Sequence, residues 1–173
     1  MRRNYREFFE ATALKKQDYT EDIQDYYNKL ITMRKGVRKT ENGDCLVFTA
    51  EIKQSLFGKK EMQNALADIL AGGFMEVLKK NKYKSGKKVL AVGLGNEKMT
   101  ADSLGAQTVN GLQISRHYLS EGSPLKEKIA NISAIKSSVS GVTGLDSFDI
   151  IKGVISTTKP DFVLAIDTLA SKS

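Results

Sequence analysis

Apolar residues along this chain change their spacing several times, and each change marks a predicted element. Between residues 1 and 40 they recur at helical intervals: Tyr5, Phe8 and Phe9, then Ile23, Tyr26, Tyr27, Leu30 and Ile31. Thr20-Glu21-Asp22-Ile23 offers a hydroxyl cap followed by acids in a first turn. The stretch is expected to be a helical arm, either a permanent peripheral helix or a removable leader, packing through Tyr26, Tyr27, Leu30 and Ile31. The turn cluster Glu41-Asn42-Gly43-Asp44 then gives way to a strand, Cys45 to Ile52. From Lys59 to Lys80 the positions Met62, Leu66, Ile69, Leu70, Phe74, Val77 and Leu78 describe one helix face. Gly72-Gly73 interrupts that face, and close packing of the helix on a sheet is the expected reason.

Past Lys84 the pattern becomes an alternation of buried strands and helices. Lys88 to Leu94 reads as a strand, a loop runs from Gly95 to Ala101, and a helix is predicted from Asp102 to Leu119. Asn131 to Val139 reads as a strand, followed by the loop Ser140 to Gly144. A helix from Asp146 to Thr158 carries Phe148, Ile150, Ile151 and Val154, is stopped by Lys159-Pro160, and leads into a last strand, Phe162 to Ile166. Strands alternating with helices predict an α/β fold, a mostly parallel sheet with helices on both faces. The expected division is a helical arm over residues 1–40 and an α/β domain over 41–173.

Composition narrows the function classes. At 173 residues the chain suits one domain with a sizeable core, or a domain with an extension. No apolar run approaches the length that spans a bilayer, and the charged start, Met1-Arg2-Arg3-Asn4-Tyr5-Arg6-Glu7, is followed by no apolar signal core. Membrane and secretory roles are therefore not expected. Cys45 is the only cysteine, which excludes an internal disulfide and a cysteine metal cage and fits a reducing, cytoplasmic setting. The net charge of +7 owes much to Lys79, Lys80, Lys82, Lys84, Lys87 and Lys88, at a helix end and the next strand start. Cations there complement a helix dipole, and without aromatic interleaving or a recognition motif they do not support nucleic-acid binding as the main role.

The candidate chemistry lies at strand ends. Asp167 follows the last strand, and Asp102 follows the strand at 88–94, where open α/β sheets build their sites. Taken alone, Asp102 reads as a helix cap and Asp167 as a strand-end residue satisfied by backbone donors. Together, two carboxylates in one crevice suit acid/base work on a polar bond, one donating a proton while the other activates water. Gly93-Leu94-Gly95-Asn96 matches neither the dinucleotide fingerprint nor a phosphate loop. Gly95 and Asn96 form either a tight turn or a close backbone approach to a peptide or small ligand. His117, the only histidine, reads as a helix-end cation or a packing residue, and no paired ligand marks it as a metal site. No Gly-x-Ser-x-Gly elbow is present for a serine nucleophile.

These segments in order resemble the germination protease family, the endopeptidases that degrade small acid-soluble spore proteins. The resemblance rests on Val89-Leu90-Ala91-Val92-Gly93-Leu94-Gly95-Asn96, Met99-Thr100-Ala101-Asp102-Ser103-Leu104-Gly105 and Ser115-Arg116-His117. It continues through Ser138-Val139-Ser140-Gly141-Val142-Thr143-Gly144-Leu145 and Ile150-Ile151-Lys152-Gly153-Val154, and closes with the run from Lys159 to Ser171. It implies an atypical aspartic-type endopeptidase with Asp102 and Asp167 as the catalytic pair and Gly95 and Asn96 shaping the site. No cofactor or metal is implied. It further implies a zymogen, a spore-core location, and either a homo-oligomer or a partner chain supplying a missing carboxyl-terminal portion, since family members continue beyond the Ala-Ile-Asp strand. Ala101 departs from the family by replacing its usual proline. Two alternatives remain: a metal-dependent endopeptidase of the hydrogenase-maturation type, which shares a Gly-x-Gly-Asn turn and would need His117, and a non-catalytic remnant that binds a partner chain.

Overall fold

A computed structural model of the chain describes residues 19–26, 29–40, 43–52, 54–119, 123–125 and 128–168. The chain divides into two compact units, Met1–Tyr83 and Lys84–Ser173. This boundary lies well past residue 40.

The first unit corrects the helical arm. Residues 19–40 form two strands, β1 (Tyr19–Tyr26) and β2 (Ile31–Thr40), and β3 (Gly43–Ile52) follows. All pair antiparallel in the order β1-β2-β3, with Tyr26 opposite Ile31 and Thr40 opposite Gly43. The signal that outweighs helical spacing is a period of two in β2. Ile31, Met33, Lys35 and Val37 share one face and lie opposite Ile52, Ala50, Phe48 and Leu46. Of the expected packing positions, Ile31 is fully buried, Tyr26 and Leu30 are partly buried, and Tyr27 lies outside the described residues. Tyr5, Phe8 and Phe9, the first positions of the expected arm, also lie outside them.

The helices α1 (Gln54–Phe57) and α2 (Lys60–Lys80) complete the described part of this unit. Of the glycine pair in α2, Gly73 meets the sheet as expected: a Cβ there would stand 3.2 Å from the Phe48 ring. Gly72 faces open space. Lys35 reaches Glu76 of α2 and lies 5.8 Å from the centre of the Phe48 ring, so a charge on the inner face keeps both partners.

The second unit is the expected α/β layer. Its strands β4 (Lys88–Leu94), β5 (Asn131–Ser138) and β6 (Phe162–Ile166) pair parallel in the order β5-β4-β6. The helices are α3 (Leu104–Gly111), the single turn α4 (Ser140–Thr143) and α5 (Ser147–Thr158). Central β4 is covered on both faces. Leu90, Val92 and Leu94 pack with Ile151 of α5, against which Ile135, Val154 and Ile155 also lie. On the other face Gly93 meets α3, and a Cβ there would stand 2.4 Å from the Gly105 carbonyl oxygen and 2.9 Å from Val109.

The helix expected over Asp102 to Leu119 is shorter than its apolar pattern. A 3-10 turn covers Thr100–Asp102, α3 stops at Gly111, and a second 3-10 turn covers Arg116–Tyr118. The chain must leave the helix because Ser115 joins the start of β5. Its N–H donates to the Ile132 carbonyl at 3.1 Å, its hydroxyl accepts from the Ile132 N–H at 3.0 Å, and the hydroxyl also donates to the Ala130 carbonyl. A second tie holds the start of β6. Asp161 Oδ2 accepts from the Lys88 N–H at 2.8 Å, and Oδ1 pairs with Lys87 Nζ at 3.0 Å.

Two consequences can be measured. Gly93→Ala forces a methyl group into backbone and should cost about 1–3 kcal/mol, the range for overpacking. Gly153→Ala, in α5 with nothing within 4 Å of the new atom, should stabilise by about 0.5–1 kcal/mol through helix propensity. Urea midpoints of both variants, read side by side, check the opposite signs.

The second consequence concerns acid. The Lys88 N–H, then Lys87, hold the Asp161 carboxyl below the usual carboxylate range. A carboxyl lowered on folding stabilises the native state above its unfolded pKa of about 3.9, and that contribution fades as pH falls through the lower folded value. Asp161→Asn should therefore be less stable than the unmodified chain at pH 6, with the gap closing below about pH 4. Urea midpoints across that range check it.

Candidate active site

The site is built at the carboxyl edge of the β5-β4-β6 sheet. β4 ends at Leu94, and the chain turns at Gly95 with φ +91°, a left-handed conformation that favours glycine. Asn96 fastens the turn through three of its polar groups. Its carbonyl accepts from the Met99 N–H at 3.0 Å, its side-chain Oδ1 accepts from the Lys98 N–H at 3.0 Å, and its own N–H donates to Asp102 Oδ2 at 2.8 Å. Asp102 in turn donates its N–H to the Met99 carbonyl at 2.8 Å.

Asp102 is half-buried, and its carboxylate turns back onto the turn that follows β4 instead of capping the helix. The residue preceding α3 is Ser103, whose side chain makes no cap bond. Gly95 makes this fold-back possible: a Cβ there would lie 2.1 Å from the Asp102 carbonyl oxygen and 2.7 Å from Oδ1.

Asp167 arrives at the same edge from the neighbouring strand. Gly93 pairs with Ile166, so Asp167 leaves β6 beside the point where the chain leaves β4. Gly105 binds the two exits together. A Cβ at Gly105 would stand 2.3 Å from the Ile166 carbonyl oxygen and 2.5 Å from that of Leu94. The first turn of α3 therefore rests on both strand ends, three residues after Asp102. Asp167 itself is exposed, with Oδ1 accepting from the Thr168 N–H at 2.8 Å.

His117 lies elsewhere. The Arg116–Tyr118 turn follows Ser115 at the amino end of β5, and Arg116 donates to the Thr158 carbonyl at the end of α5 at 3.2 Å. Seven residue steps along β5 separate the sheet's edges by roughly 23 Å. His117 is exposed, with its ring 3.8 Å from that of Tyr118. The structure thus gives a metal-binding reading of the aspartates no histidine, and among the described residues no three His, Cys, Asp or Glu side chains gather as a ligand set. Cys45 lies in β3 of the other unit.

Two features of this edge escape sequence reasoning. Glu97, Asn110 and Lys136 form a closed polar trio: Lys136 Nζ lies 2.8 Å from Glu97 Oε2 and 3.0 Å from Asn110 Oδ1, and the Asn110 amide donates to Glu97 Oε1 at 2.8 Å. The Lys136 bond first, and the Asn110 bond second, hold the Glu97 carboxyl below its ordinary range. Separations of 13 and 39 residues leave no local signal for such a trio. The second feature is exposed apolar surface in the segments that follow β4 and β5, at Met99, Leu104, Val142 and Leu145.

Gly95→Ala tests the fold-back. The new methyl group meets Asp102 backbone at a strained φ, so a loss of about 1–3 kcal/mol is expected. The Asn96 amide resonance should shift as its acceptor moves, measured by two-dimensional NMR.

Comparison with known proteins identifies the family. Residues 8–173 match the family model described as germination protease. The germination proteases of Geobacillus sp. (strain WCH70) and Bacillus subtilis (strain 168) are 41% and 39% identical to the chain over 114 residues, which is 65% of this chain and 31% of each relative. That of Caldanaerobacter subterraneus subsp. tengcongensis is 39% identical over 114 residues, 34% of its length. The chain spans about a third of the length of these relatives. A match over nearly all of its residues shows that the chain belongs to the germination protease family.

Proposed function

We propose that the chain carries an aspartic-type endopeptidase site in which Asp102 and Asp167 activate water against a peptide bond. One observation carries the reading: two neighbouring parallel strands deliver an aspartate each to one edge, and Gly105 holds both exits against one helix turn. In the reaction, one carboxylate takes a proton from water as the oxygen attacks the peptide carbonyl. The other, protonated, gives its proton to the leaving amine as the carbon–nitrogen bond breaks. Protons and charge balance over the pair, and the acid and base exchange states each cycle. Gly95 and Asn96 serve by positioning Asp102.

The resemblance to spore endopeptidases supports small acid-soluble spore proteins as the substrate class, and with it a precursor form, self-assembly and a reducing compartment. The described residues contain no helix long and apolar enough to cross a membrane. A second reading, a partner-binding chain without catalysis, draws on β6, which stands at the sheet edge with Val163 47% exposed. Such an edge is open to pairing with another strand.

Asp102→Asn and Asp167→Asn should each lower cleavage of a spore-protein peptide by about 10²–10⁴-fold, the usual yield of acid–base groups. Circular dichroism should show the fold retained. Full cleavage in both variants would sink the catalytic pair, and a wild-type chain that binds such a peptide without cutting it would favour the second reading.

A further inference from the structure

The polar trio beside the site has a location that a surface salt bridge does not need. Glu97 belongs to the turn that carries Asn96, Asn110 to the last turn of α3, and Lys136 to β5, opposite Gly93 in the sheet. The three bonds of 2.8, 3.0 and 2.8 Å close a ring among loop, helix and strand. The residue directly before Glu97 donates the N–H that holds Asp102 Oδ2 at 2.8 Å.

The turn needs such a tie. Its glycine has φ +91°, a conformation costly for most residues and open to many alternatives in the unfolded chain. Its internal bonds, Met99 N–H to Asn96 O and Lys98 N–H to Asn96 Oδ1, connect the turn only to itself. Apart from its bonds to Asp102, among the described residues the side-chain hydrogen bonds that join the turn to the sheet and to α3 are those of Glu97. An isolated exposed ion pair contributes little to stability, but a closed network with charge-assisted bonds fixes orientation.

We infer that Glu97, Asn110 and Lys136 act as a clamp that positions the Asn96 amide against Asp102, making Lys136 and Glu97 positioning residues for the carboxylate. The role rests on the proposed site for its meaning in catalysis, but its structural effect can be read without activity. The bonds of Lys136 go to Glu97 and Asn110. Its action passes through Glu97 to the backbone of Asn96 and from there to Oδ2 of Asp102.

The experiment uses the full chain labelled with nitrogen-15. Amide hydrogen exchange at Asn96 is compared in the unmodified protein, Lys136→Met, Glu97→Gln, Lys136→Arg and Lys87→Met. Lys87→Met removes a comparable ion pair at the opposite sheet edge, 3.0 Å from Asp161. The clamp predicts exchange at Asn96 about tenfold faster in Lys136→Met and Glu97→Gln, the scale of one net hydrogen bond. Lys136→Arg should recover most of the protection, and Lys87→Met should leave Asn96 unchanged. Unchanged exchange at Asn96 in Lys136→Met and Glu97→Gln overturns the clamp, and so does an equal acceleration in Lys87→Met. Where cleavage is measurable, Lys136→Met should lower kcat with KM held. A chain without cleavage refutes the protease reading and leaves the exchange result to stand by itself.

Discussion

The second unit depends on one contact between two residues that have no side chain. Gly93 of β4 and Gly105 of α3 bring backbone directly against backbone, with only 2.4 Å between the Gly105 oxygen and the place where a Gly93 Cβ would be. Helices normally rest on sheets through a layer of side chains. Here that layer is absent at one point, and the first turn of α3 reaches the carbonyls of Leu94 and Ile166. The rest of the edge follows. Asp102 is brought back over Gly95, and β6 is held so that Asp167 follows it at the same edge of the sheet.

Close approach of this kind trades side-chain burial for placement. Methyl groups at 93 and 105 would bury more apolar area, at about 25 cal/mol per Å², but they would lift α3 from both strands. Compensation comes from the opposite face of β4, where Leu90, Val92 and Leu94 meet Ile151 and its neighbours in ordinary side-chain packing. One face of the strand therefore supplies cohesion and the other supplies geometry. Alternation along a single seven-residue strand is enough to do both.

What could be read from the chain alone follows the same physics. β4 and α5 were legible because burial on both faces gives β4 a continuous apolar run, and because Asp146 caps α5 by accepting from the Phe148 N–H at 2.8 Å. The strand-end positions of Asp102 and Asp167 followed from those boundaries. β1 and β2 were not legible because their strands carry charge on both faces. Lys35 sits on the inner face with Glu76, while Arg34 on the other face reaches Glu51 at 3.1 Å, so period two is blurred by side chains that hide in pairs. The shortening of α3 was equally hidden, since Leu112 and Ile114 continue a helical spacing and only the pairing of Ser115 with Ile132 shows why the helix ends. Residue types foretold a turn at Gly95 and Asn96, but not that the Asn96 carbonyl and Oδ1 would brace the turn while its N–H holds Asp102.

The two edges of the parallel sheet divide the work between them. At the amino edge every strand start is tied by a side chain: Asp161 joins β6 to the Lys88 N–H of β4, and Ser115 closes on Ala130 and Ile132 at β5. Arg116 adds a bond to the end of α5. Net gains of about 0.5–1.5 kcal/mol for each such bond fix the strands in register from one side. The carboxyl edge is then free of that duty, and it can carry a left-handed glycine, exposed apolar side chains and a carboxylate folded back on the backbone. Strain and exposed chemistry are tolerated where the surrounding structure already determines the chain's path. A sheet tied at one edge and open at the other places Asp102 and Asp167 in the segments that follow two neighbouring strands, which is the arrangement the proposed chemistry needs.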